Sequence, residues 1–306
     1  MRRSVLSLGM AILCTLALTS AGFAQTAPNP TPTATPLVPT NPNISVVGKN
    51  PAGNADQQIP WYSNFVNGVA ADWAKSFGWT VPRPVTINLY TSGIIMAADA
   101  GFYSVTPYGL DQLLTVANQP TVAVRDRRPV GPGGGNGGWI IGLNVNYTGN
   151  VTAIAATAPP TETQGWLVHD LALGMLQDVA GTGGPAWYRE GLADLLANSR
   201  VPGMNEVDQR ASAWHMAAGN NMLPSVSNIN QNWDSLTGTA GMTRDASYKV
   251  ADQAVFLLSQ KVGVPALVNV LQRTSAGEDF QSALQAVTGY NLDQLDSAYR
   301  VTMPAY

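Results

Sequence analysis

The residues best suited to chemistry are His169, Asp170, Glu190 and Asp194, all within the stretch from Trp166 to Ala197. Their order suggests hydrolysis at a zinc ion. In that chemistry two histidines at i and i+4 share a helix face and converge on one metal. A glutamate beside the first histidine reaches the zinc-bound water and acts as base. A ligand from a following helix closes the site, and an acid beyond it bonds the outer nitrogen of a ligand histidine. His169 stands at the first ligand position and Glu190 at the third. Asp194 follows Glu190 by one helical turn, on the same face, as a supporting acid should. Asp170 stands at the base position, but it is one methylene short and sits roughly 1 Å back from where a glutamate would reach. Leu173 stands at the second ligand position and has no donor atom. One imidazole and one carboxylate make a weak zinc site.

Each of these residues also has a plainer role. His169 is either a metal ligand or a buried histidine paired with Glu190 or Asp194. Those two acids are either part of a site or ordinary solvated helix residues. His215 is the only other histidine, and is either a replacement ligand or a surface residue beside Trp214. Tyr248 is either a hydrogen-bond donor to an oxyanion or a core tyrosine. Other catalysts are thin: there is no G-x-S-x-G elbow, and the single cysteine, Cys14, lies in the N-terminal apolar run. Asn43, Asn146 and Asn150 fit the glycosylation sequon, which matters only in a glycosylating host.

The elements that must position these groups are legible in part. Trp61, Phe65, Val69, Trp73 and Phe77 recur at helical spacing and predict a helix over 60–77, ended by Gly78. Pro84 to Tyr90 alternates and predicts a strand, as do 121–125 and 139–145. The glycine-rich stretch 131–138 reads as a hairpin connection and not as a phosphate cradle, because no Gly-Lys-Ser/Thr follows it. Residues 162–179 predict a helix that is apolar nearly all round, hence buried. Gly181 to Pro185 breaks it, and 186–198 predicts the next helix. Residues 201–246 have no clear period. Short helices follow over 247–262, 265–273, 278–287 and 292–303, with Ser275 and Asn291 as cap or turn residues.

The N-terminus reads as a secretory signal over residues 1–24: Arg2 and Arg3, an apolar run, then small residues before cleavage near Ala24. An uncleaved segment would be the only membrane contact. Removing it takes two arginines and no acid, moving the formal charge from −3 to −5. No basic patch suited to nucleic acid remains. No cysteine remains either, so stability must come from packing. Residues 25–58 read as a linker, Pro/Thr-rich at first and then polar. The folded part is expected over 59–306, with an N-terminal helix and sheet over 59–160 and a helical lobe over 161–306.

Trp187-Tyr188-Arg189-Glu190-Gly191-Leu192-Ala193-Asp194 resembles the W-x-x-E-G-L-A-[DE] helix of the peptidase MA-like gluzincins, a zinc metallopeptidase family. His169 to Leu173 resembles its H-E-x-x-H motif in degenerate form. Ser247-Tyr248 through Leu258 resembles its tyrosine-bearing helix, and Phe280 to Tyr299 its closing helices; the likeness spans about residues 60–303. The resemblance implies an α+β, zincin-like fold: a small β-sheet packed on the active-site helix, then a mainly helical lobe. The departures fall at Asp170 and Leu173, where activity is decided. The expected function is therefore that of an exported, catalytically impaired or inactive homologue serving as a binding or structural module. Its partner would be a peptide or cell-envelope polymer, with no cofactor. The alternative is an active metallohydrolase cleaving peptide bonds, with zinc rebuilt on His169, Glu190 and His215 and with Asp170 as base.

Overall fold

The computed structural model describes residues 41–49, 55–103, 117–119, 121–125, 137–145, 161–202, 223–238 and 241–302. Residues 1–24, expected to be a secretory signal, most of the expected linker, the glycine-rich stretch 131–136, His215, Asn146 and Asn150 lie outside these residues. The fold is α+β. Four strands, β1 (Ile44–Gly48), β2 (Val85–Tyr90), β3 (Thr121–Arg125) and β4 (Trp139–Asn144), form one mixed sheet in the order β1-β2-β4-β3. β1, β2 and β4 are parallel, and β3 pairs antiparallel with β4 at the edge.

β1 corrects one expectation. The linker does not continue to residue 58, because Ile44 to Gly48 already pairs with Val85 to Leu89. The parallel pairing requires a crossover, and helix α1 (Ile59–Phe77) supplies it. Its buried stripe is Tyr62, Val66, Val69 and Trp73. Trp61 and Phe65, expected at the centre of that face, lie at its margin and stack on each other at 4.9 Å. Gly78 ends the helix with φ of 70°, and its N–H donates to the Ala74 carbonyl.

The alternation in β2 separates two layers. Val85, Ile87 and Leu89 join the main core. Asn88 faces the other way, in register with Gly142, which lies against Met96 of helix α2 (Gly93–Tyr103). That helix carries no polar stripe, so periodicity did not reveal it.

Helix α3 (Thr161–Ala180) lies on the core face of the sheet, its Gly174 against the Trp139 ring. It runs alongside β3. Asp170 meets Thr121, and Asp178 meets Arg125 at 3.4 Å and Arg83 at 3.7 Å. The two spans agree: eight helical residues rise about 12 Å and four strand residues about 13 Å.

The turn after α3 is clamped from outside. Ser275 donates its hydroxyl to the Ala180 carbonyl at 2.6 Å and accepts from the Gly183 N–H at 2.8 Å. Ser275 thus serves this turn and does not cap the next helix, a role that falls to Asp279. Helix α4 (Ala186–Arg200) follows, then α5 (Val226–Thr237), α6 (Met242–Val262), α7 (Val264–Ser275), α8 (Phe280–Thr288) and α9 (Leu292–Thr302). α6 begins five residues before its expected start at Ser247. Asn291 caps α9 as expected: it accepts from the Gln294 N–H while Gln294 accepts from the Asn291 N–H. Among the described residues no single helix is long and apolar enough to cross a membrane.

α4 and α6 touch through their backbones. A methyl group at Gly191 would lie 2.5 Å from the Ala251 carbonyl oxygen, well inside contact distance. Gly191→Ala should therefore force the helices apart and cost about 1–3 kcal/mol. Urea unfolding checks this: the midpoint should fall with little change in slope.

Candidate functional site

Two helices build the site. Glu190 and Asp194 are one turn apart on α4, so their carboxylates stand on one face. That face meets His169 on α3. The His169 ring is 3% exposed, with Nδ1 at 2.8 Å from Asp194 Oδ1 and Nε2 at 3.1 Å from Glu190 Oε2. Asp194 is 2% exposed, whereas the Glu190 side chain keeps 23% of its surface. The ring of Trp166, one turn earlier on α3, packs edge-on against the imidazole at 5.4 Å.

Both ring nitrogens face carboxylate oxygens, and carboxylates only accept hydrogen bonds. Both nitrogens must therefore carry protons, making the ring an imidazolium. Burial pulls its pKa down, but the charge and hydrogen bond of Asp194, reinforced by those of Glu190, outweigh it. The result is a pKa pushed up to about 10.

Asp170 looks away from this pair, toward the sheet, where it bonds the Thr121 side chain. It is 9% exposed, and its Oδ2 has no hydrogen-bond partner among the described residues. Burial raises its pKa to about 6; the His169 charge and the Thr121 bond oppose that rise, and the Glu190 charge adds to it. Asp170 is thus a confined carboxyl that fastens α3 to β3. Leu173 is half-buried and packs against the core. Tyr248 on α6 is half-buried, its ring edge-on to Trp233 at 4.9 Å with the Arg244 guanidinium over it at 5.8 Å.

Among the described residues the donor set falls short of a zinc site. Structural and catalytic zinc sites use three or four nitrogen, oxygen or sulfur ligands. Here two side chains converge, His169 and Glu190, and they bond each other. Leu173 occupies the next turn of α3 without a donor atom. Among the described residues no three His, Cys, Asp or Glu side chains are grouped to hold a metal ion. In the imidazolium form neither ring nitrogen of His169 has a free lone pair. Thr121 was not foreseen as part of this region. A lone threonine at a strand end carries no signal, and its partner lies far along the chain.

These protonation states set the pH dependence of stability. The unfolded histidine titrates near pH 6.5. The stabilisation from His169 is thus complete below about pH 6.5 and lost as pH rises through about 10. Asp170 also binds its proton more tightly when folded. Its share of stability is complete below about pH 4 and lost as pH rises through about 6. Unfolding free energies measured across this range should show both declines. His169→Gln should remove the upper one and Asp170→Asn the lower one. His169→Ala, which strands two carboxylates, should cost about 3–5 kcal/mol near neutrality.

Comparison with protein-family models, with curated proteins and with solved structures returns no match to this chain.

Proposed function

We propose that this chain is an exported, catalytically impaired protein of the peptidase MA-like, zincin-like kind, and that it works as a peptide-binding module. One observation carries this reading: Asp194 and Glu190 engage both ring nitrogens of His169, beside a leucine where a second ligand would stand. Hydrolysis by the zinc route needs a free ring nitrogen for the metal and a carboxylate able to reach water. His169 offers no such nitrogen, and Asp170 is turned toward Thr121. The mixed sheet resting on α3, followed by helices, supports the zincin-like part of the proposal. Arg2, Arg3 and the apolar run after them support export.

Binding of an extended peptide is supported by the place of β3. Among the described strands it lies at one edge of the sheet, antiparallel to its neighbour, and it is tied to α3 through Thr121 and Asp170. An edge strand presents backbone groups that a peptide can pair with.

The test is proteolysis of casein and a peptide library with and without zinc, alongside the metal content of the purified protein. The expected result is no zinc-dependent cleavage and no retained zinc. Cleavage that depends on zinc and disappears in Glu190→Ala would overturn the reading. As a complement, Leu173→His combined with Asp170→Glu should gain about one zinc per chain, because it restores the missing donor and the longer base.

A further inference from the structure

We infer that the groove between the start of α4 and the outer face of α5 is a binding site for a neutral saccharide. This goes beyond the proposed function, since none of His169, Asp170, Glu190 or Asp194 lines it. The groove has a volume of 410 Å³, within the range of small-ligand sites. Pro185 and Ala186 form one wall, and Asn230, Asn232, Asp234 and Ser235 the other.

The lining is matched to hydroxyl groups. Each carboxamide offers a donor and an acceptor side by side, as does each pair of neighbouring sugar hydroxyls. Asp234 can accept from two hydroxyls at once, and Ser235 adds a group that both donates and accepts. Among the described residues no lysine, arginine or histidine lines the groove, so these side chains offer nothing to neutralise a phosphate or carboxylate ligand. Pro185 and Ala186 supply the apolar surface that the C–H faces of a sugar ring require.

The geometry is preset. Asn230 Oδ1 accepts from the Trp187 indole N–H at 2.9 Å, and this bond fixes which way the amide points. Asn232 has φ −127° and ψ 22°, a break inside α5, and its amide is held by Asn228 at 2.7 Å. The break turns this stretch of α5 out of regular helical geometry where it lines the groove. Below it, Trp233 is buried and braced by Tyr248, which gives a rigid floor. Groups held before the ligand arrives lose less freedom on binding.

An amide NMR titration of the full chain tests this, with cellobiose and chitobiose as neutral disaccharides and with a blocked neutral tripeptide and inorganic phosphate for comparison. Saturable shifts confined to residues 186–187 and 230–235 are expected for at least one disaccharide, with a Kd on the order of 1 mM. Asp234→Ala and Asn232→Ala, both at exposed positions, should weaken binding about tenfold or more without lowering Tm. The inference is overturned if neither sugar gives saturable shifts there. It is also overturned if the variants bind as the parent does, or if the tripeptide or phosphate is what binds at these residues. Zinc-dependent proteolysis would remove the proposed function and leave this site standing.

Discussion

The positive charge on His169 is what the centre of this molecule is arranged around. Asp194 is nearly as buried as the histidine, and a carboxylate in that position without a partner would be severely destabilising. The imidazolium resolves this by taking one carboxylate on each nitrogen. In doing so it ties α3 to α4. That pairing holds only if the turn between the helices is tight, which is why Ser275 grips it from α7. It also needs α4 pressed from behind by α6, which Gly191 permits. The charge of one imidazolium is thus shared between two carboxylates on the neighbouring helix.

The middle and the C-terminal end of α3 hold their acids differently. Asp178, near the C-terminal end, meets two arginines, and one of them also stacks on Trp139. Asp170 has no cation of its own and shares the charge of His169 with two competitors. Burial raises the pKa of both carboxyls; the Arg83 charge opposes that rise at Asp178, and the His169 charge and the Thr121 bond oppose it at Asp170. The same helix therefore carries two acids held by different partners, one by arginines and one beside the imidazolium.

Much of this could be read from residue order. The strands 85–90, 121–125 and 139–144 and the helices 59–77, 161–180 and 186–200 announce themselves by period, because each has one face or both faces in the core. The pairing of His169 with Glu190 or Asp194 was also open to inference, since four-residue spacing stacks the two acids. Other features were hidden for physical reasons. β1 is short and half-exposed, so its alternation is shallow. α2 is apolar without a polar stripe, and α5 is broken at Asn232. The buried face of α1 is rotated from the aromatic row because Tyr62 and Val66 fill the core better placed than Trp61 and Phe65. Thr121 with Asp170 is a contact that only the folded sheet creates.

The two fastenings between α3 and β3 behave as a ruler. Thr121 meets Asp170 and Arg125 meets Asp178, and the distances match only in one alignment. Sliding β3 by one residue would turn both side chains to the opposite face of the sheet and lose both partners. The strand is thus located from two sides, by its ladder with β4 and by its two contacts with the helix, so side chains far apart in the chain set the register of that edge.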